Sequence, residues 1–294
     1  MNTPPELLSV GEPPPWRVVD LPGRGPLRLR DSGQPDGHES TRPVLLLFHG
    51  WTVSADLNWG AAYAELTSRY RVLAWDQRGH GPNGLRPRRR FRLEDCADDA
   101  AAVMDAVGVE QAVAVGYSMG GAVAQLLWRR HPHLVSGLAL CASAMKFRQT
   151  VAEYRDFALI RLACRPAALL PETTWHLAER VASVRSGRAQ LVDPEFDDWA
   201  AREVRAGDIG QILQAGVALG GFNSSSWAGN IDVPTTVLIG VDDSIVPTAR
   251  QRQLATALPR PLVVEFSGDH VAPVVRADHF ATQLTTGVAW LHGG

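Results

Sequence analysis

From Pro43 to Ala142 the chain alternates short, continuously apolar runs with longer stretches whose apolar residues recur every three or four positions. The runs PVLLLF, YRVLAWD, QAVAVGY and VSGLALCA have no polar face, the pattern of strands buried on both sides of a parallel sheet. Between them, NWGAAYAELTSRY and LEDCADDAAAVMDAVG carry helical spacing. Strands alternating with helices in this way predict an α/β fold, a mostly parallel sheet covered on both faces. Ahead of it, WRVVDLP and GPLRLRDSG alternate apolar and polar residues and predict an antiparallel pair joined through Pro22 to Gly25.

Near Lys146 the alternation stops, and helical periodicity without a convincing strand continues to about Asn230. Helix starts are visible at Asp193, before Pro194, and at Asp208, with Gln211 three positions on as a capping pair. PTTVLIG and PLVVEFSG then resume the sheet, bringing the predicted strands to eight, and RADHFATQLTTGVAWL closes the chain as a helix. The expected organisation is a core in two parts, residues 1–145 and 231–294, around an inserted helical cap at 146–230. Trp175, Phe196, Trp199, Ile209, Ile212 and Leu213 are candidate pocket walls, although docking the cap on the body is the simpler role for any one of them.

Composition narrows the function class. The 294 residues are 45% hydrophobic and 20% charged, ordinary for a globular enzyme or binding protein. A net charge of -2 supplies no global attraction to nucleic acid or anionic membranes. Three cysteines, Cys96, Cys141 and Cys164, have no metal-like spacing and leave one unpaired, which points to a reducing compartment. The N-terminus lacks a basic segment followed by an apolar stretch, and no run approaches the ~18 apolar residues of a membrane span. A cytoplasmic protein without a membrane span is expected. Arg86, Arg88, Arg89, Arg90 and Arg92 form the one basic cluster; a solvated loop is the expected reading and an anion site the alternative.

The segment GYSMGG, Gly116 to Gly121, stands between a predicted strand and a predicted helix. A residue that reverses the chain in so few positions sits at strained dihedrals, so its neighbours two before and two after must lack bulk. Ser118 is raised on that corner, and the helix behind it points N-terminal amides at any negative charge formed there. A serine hydroxyl is a weak nucleophile at neutral pH and needs a base, itself oriented by a carboxylate. Among nine histidines, His270 follows the last strand immediately, at the sheet edge where parallel-sheet enzymes collect functional groups. The strand before it ends in VLIGVDDSIVP and offers Asp242 and Asp243, in the chain order Ser, Asp, His.

Taken together, LLLFHGW, DQRGHG, GYSMGG, GVDDSIVP and SGDHVAP resemble the α/β-hydrolase superfamily over almost the whole chain, most closely its serine esterase and cofactor-free haloperoxidase (perhydrolase) branch. The resemblance implies an eight-stranded α/β-hydrolase sheet with a helical cap and selects Asp243 as the acid of a Ser118–His270–Asp243 triad, leaving Asp242 to cap or face solvent. It implies an oxyanion hole from the backbone amides of Trp51 and Met119, and a small-molecule, ester-like substrate with no cofactor and no metal. Lactonase, thioesterase, perhydrolase and carbon–carbon hydrolase chemistry use the same triad, and the fold also serves as a small-molecule receptor. One departure is Asn83, after Pro82, where many relatives carry a serine, so that loop is expected to be shaped differently. His49 and His80 are expected to be structural, and Asp76 with Arg78 a local loop-stabilising pair.

Overall fold

Strands β1 (Trp16–Leu21) and β2 (Gly25–Asp31) pair antiparallel through a turn in which Gly23 takes φ 71°. They precede β3 (Val44–Phe48), β4 (Arg71–Ala74), β5 (Ala112–Tyr117), β6 (Val135–Cys141), β7 (Thr235–Gly240) and β8 (Leu262–Phe266). All eight form one sheet in the order β1-β2-β4-β3-β5-β6-β7-β8. Only the β1–β2 and β2–β4 pairings are antiparallel. The computed structural model describes residues 13–33, 42–86, 89–177 and 192–292.

The continuous apolar runs are continuous because the sheet has a core on each side. Along β3, Leu46 and Phe48 enter one core, with the helices Leu93–Ala106 and Met119–Arg130. Leu45 and Leu47 enter the other, against Trp59, Phe280 and Leu284. Parallel pairing from β4 through β8 brings the C-terminal ends of these strands to one edge of the sheet, so the turns after β3, β5, β7 and β8 are neighbours.

Between β6 and β7 lie the helices Val151–Leu169, Pro194–Arg205 and Ile209–Gly221, with residues 171–177 also helical. Thr150 starts the first with a reciprocal cap to Glu153. Asp193 and Asp208 start the next two, accepting from the amides of Phe196 (2.8 Å) and Gln211 (3.0 Å). The second half of the expected Asp208–Gln211 pair is not formed. The Gln211 amide donates to the Arg89 carbonyl instead (3.2 Å), and the Asp208 N–H donates to Gly79 O (2.8 Å). Phe196 and Trp199 are buried against Leu57, a docking contact with the body, whereas Trp175, Ile209 and Ile212 cluster beside Trp51 and Leu213. No helix among the described residues is long and apolar enough to cross a membrane.

Candidate active site

Ser118 follows β5 directly and precedes the Met119–Arg130 helix with φ 53° and ψ -114°, a left-handed conformation that a non-glycine residue adopts at a cost. Its neighbours show why glycine is required. A Cβ on Gly120 would overlap the Phe48 carbonyl, and one on Gly116 would overlap the Gly120 carbonyl. The turn is held from both sides, since the Ser118 N–H donates to Cys141 O (2.8 Å) and Ser118 O accepts from the Ser143 hydroxyl (2.9 Å).

The three residues singled out at separate strand ends meet here. Ser118 Oγ lies 2.9 Å from His270 Nε2, and His270 Nδ1 lies 2.8 Å from Asp243 Oδ2. With Asp243 Oδ2 accepting from Nδ1–H, Nε2 is free to accept the serine proton. Asp243 is buried, and its other oxygen accepts from the amides of Ile245 (2.9 Å) and Val246 (2.8 Å). Asp242 is exposed and, among the described residues, accepts only from the Gly268 amide, at 3.3 Å.

Two supporting residues carry no sequence signal. Gln251 donates to Asp243 Oδ2 (2.9 Å) and Val246 O (2.7 Å) and accepts from the Gly240 amide (3.0 Å), so one buried side chain fixes the whole acid turn. Tyr117 donates its hydroxyl to His270 O (2.9 Å), and burial pushes that phenol well above its ordinary pKa. On the β3 side, Asn58 accepts the Gly50 N–H (2.9 Å), so that amide is occupied, and the Trp51 amide after it donates to no partner among the described residues. The Trp51 indole donates to Ile212 O (2.7 Å). Met119 opens its helix, where an amide has no carbonyl four residues back.

His49 and His80 are structural, as expected. His49 Nδ1 bonds Gly50 O (2.7 Å) while Nε2 accepts from Gln77 N (2.8 Å), and His80 Nδ1 bonds Arg78 O (2.8 Å). Burial depresses their pKa values to about 3 and about 4. The expected Asp76–Arg78 pair is not formed. Buried Asp76 accepts from the amides of Ala55 (2.8 Å) and Asn83 (2.9 Å), whereas Arg78 turns away to make a bidentate pair with Asp99. Asn83 joins this loop through its backbone, and its side chain accepts from Arg28 (3.1 Å).

These histidines set an acid limit on stability. Unfolded, each titrates near 6.5, so as pH falls below about 6.5 the unfolded chain binds two protons that the fold excludes, and stability drops by about 1.4 kcal/mol per pH unit for each. Asp76, raised to about 6 by burial, acts in the opposite sense, because the fold protonates it before the unfolded chain does. Among these three groups the net loss between pH 6.5 and 5 is therefore about one proton's worth, and His292, which burial also holds below its ordinary pKa, adds to it. His80→Phe should reduce the fall of the urea midpoint over that interval; an undiminished fall would assign the linkage to other groups.

Comparison with known proteins follows the same lines. A sequence-family model for the alpha/beta hydrolase fold matches residues 43–277. A poly(3-hydroxyalkanoate) depolymerase of Ectopseudomonas oleovorans is 28% identical, over 90% of this chain and 89% of that protein. A bifunctional esterase/perhydrolase of Acinetobacter calcoaceticus is 27% identical, over 70% of this chain and 76% of its own length. Among solved structures, the enol-lactonase from Burkholderia xenovorans LB400 superposes with a TM-score of 0.75 at 23% identity, covering 94% of this chain and all of the other (100%).

Proposed function

Because the chain belongs to the alpha/beta hydrolase fold family, we propose that it is a serine hydrolase cleaving a small to medium, largely apolar carboxylic ester through an acyl-enzyme. The observation that carries this reading is the unbroken line from Ser118 Oγ through His270 to buried Asp243. His270 Nε2 takes the hydroxyl proton as Ser118 Oγ attacks the ester carbonyl, and Asp243 stabilises the imidazolium. The amides of Trp51 and Met119 receive the developing oxyanion. His270 returns its proton to the departing alcohol, then takes one from water, which attacks the acyl-enzyme; collapse releases the acid as His270 gives that proton back to Ser118 Oγ. The names of the two relatives, a depolymerase and an esterase/perhydrolase, support ester-like substrates.

The test is labelling with a fluorophosphonate probe followed by turnover of p-nitrophenyl esters, lactones and thioesters. Labelling with fast turnover of apolar esters is expected. Tight binding of one ligand without turnover would make the protein a receptor, and preference for a lactone or thioester would move the substrate class while keeping the triad.

The helices between β6 and β7 act in this reading as a cap that selects the acyl or alkoxy group. Trp175 and Leu213 lie in the cluster that reaches Trp51, so Trp175→Ala or Leu213→Ala should shift the optimum of an ester chain-length series. One methylene of pocket contact is worth only ~1–3 kcal/mol, so that optimum should be graded. Trp199→Ala should change stability more than selectivity, because Trp199 packs on Leu57. An unchanged profile in both Trp175 and Leu213 variants would remove the cap from substrate selection.

A further inference from the structure

The arginines of the basic cluster do not share one environment. Arg86 is spent on the protein itself, donating to the carbonyls of His80 (3.2 Å), Gly84 (2.8 Å), Gly81 and Ala206 (3.1 Å). Arg92 lies 3.6 Å from Glu94, and Arg88 is outside the described residues. Arg89 and Arg90 instead line a cavity of about 470 Å³, which Arg161 and Arg165 from the Val151–Leu169 helix also line. Among the described residues, none of these four guanidiniums makes a hydrogen bond or an ion pair.

The arrangement is built, not incidental. Two side chains on one face of the Ile209–Gly221 helix grip the loop backbone on either side of Arg90. The Gln211 amide donates to Arg89 O (3.2 Å), and the Gln214 carbonyl accepts from Phe91 N (3.0 Å). Four unpartnered cations line one cavity, and Arg161 and Arg165 stand at the i, i+4 spacing where like charges destabilise a helix. A multivalent anion removes that cost, and the planar guanidinium fork suits phosphate and carboxylate oxygens equally.

We propose that this cavity is a binding site for a compact multivalent anion, a phosphoryl or polycarboxylate group on a small molecule. It lies across the Ile209–Gly221 helix from Trp51, whose indole is held by Ile212 O and packs against Gly216. The site stands whether or not Ser118 turns over an ester.

Half-buried Cys164 lines the same cavity and serves as a reporter, since Cys96 and Cys141 are fully buried. At constant ionic strength, calorimetric titration with sodium tripolyphosphate or citrate should show one saturable site. Affinity should fall with added salt and at least tenfold in Arg161→Gln/Arg165→Gln. All four arginines are exposed, so the variant should fold, and Arg89→Gln, on a separate loop segment, provides a second, independent loss. The bound anion should slow alkylation of Cys164 by neutral iodoacetamide in the parent protein and not in the double variant. Tighter binding of tripolyphosphate assigns the phosphoryl class and tighter binding of citrate the carboxylate class; both sustain the site. Absence of saturable binding, equal affinity in the variants, or unprotected Cys164 would overturn it.

Discussion

Ser118→Ala is expected to abolish fluorophosphonate labelling and to lower kcat by roughly 10⁴-fold or more. The size follows from what the hydroxyl does. Its only described side-chain partner is His270 Nε2 at 2.9 Å, so removing it leaves the histidine without a proton to take and the substrate without an attacking atom. The fold should not change. The contacts that fix the corner run through the Ser118 backbone, to Cys141 O, Ser143 Oγ and Gly121 N, and all of them survive the substitution. Residual turnover would come from oriented binding and the oxyanion amides alone. The decisive readouts are covalent labelling of intact protein and kcat on the best ester of the panel. A variant that still labels, with a melting temperature like the parent's, would place the nucleophile elsewhere.

What could be read from the chain itself was set by how locally each feature is encoded. The central strands of the parallel sheet were legible because both of their faces are buried, which leaves no exposed position in β5 or β7. The corner at Ser118 was legible because backbone crowding at Gly116 and Gly120 admits no side chain. Partnerships across space were not. Asp76 and Arg78 are neighbours in a loop that folds them apart, one toward the amides of Ala55 and Asn83 and the other toward Asp99. The arginine run looked uniform because one-dimensional charge does not say which guanidinium finds carbonyls and which faces a cavity. Gln251 gave no sign at all. A glutamine in the helix Thr248–Ala257 reads as surface, and only the approach of β7 and the acid turn makes it interior.

Asp243→Asn is expected to cut kcat by about three to four orders of magnitude, while Asp242→Asn costs less than tenfold. Asp243 Oδ1 accepts from two backbone amides, so an asparagine there keeps its carbonyl on that side and turns its NH₂ toward His270 Nδ1. A donor facing Nδ1 forces the proton onto Nε2, where the imidazole can no longer accept one from Ser118. The same NH₂ also meets the Gln251 NH₂ that now donates to Oδ2, which adds a donor–donor conflict in a buried place. At Asp242 neither consequence arises, because that side chain is exposed and holds a single long contact to Gly268 N, which an asparagine carbonyl can keep. Gln251→Met separates orientation from charge. It leaves the Asp243 carboxylate in place and removes the side chain that aims it, so kcat should fall less than in Asp243→Asn with KM little changed. Fluorophosphonate labelling should slow in the same order, since it reads the activated serine directly. If Asp242→Asn proved the more damaging carboxylate change, His270 would take its orientation from a different acid in solution than the 2.8 Å contact to Asp243 indicates.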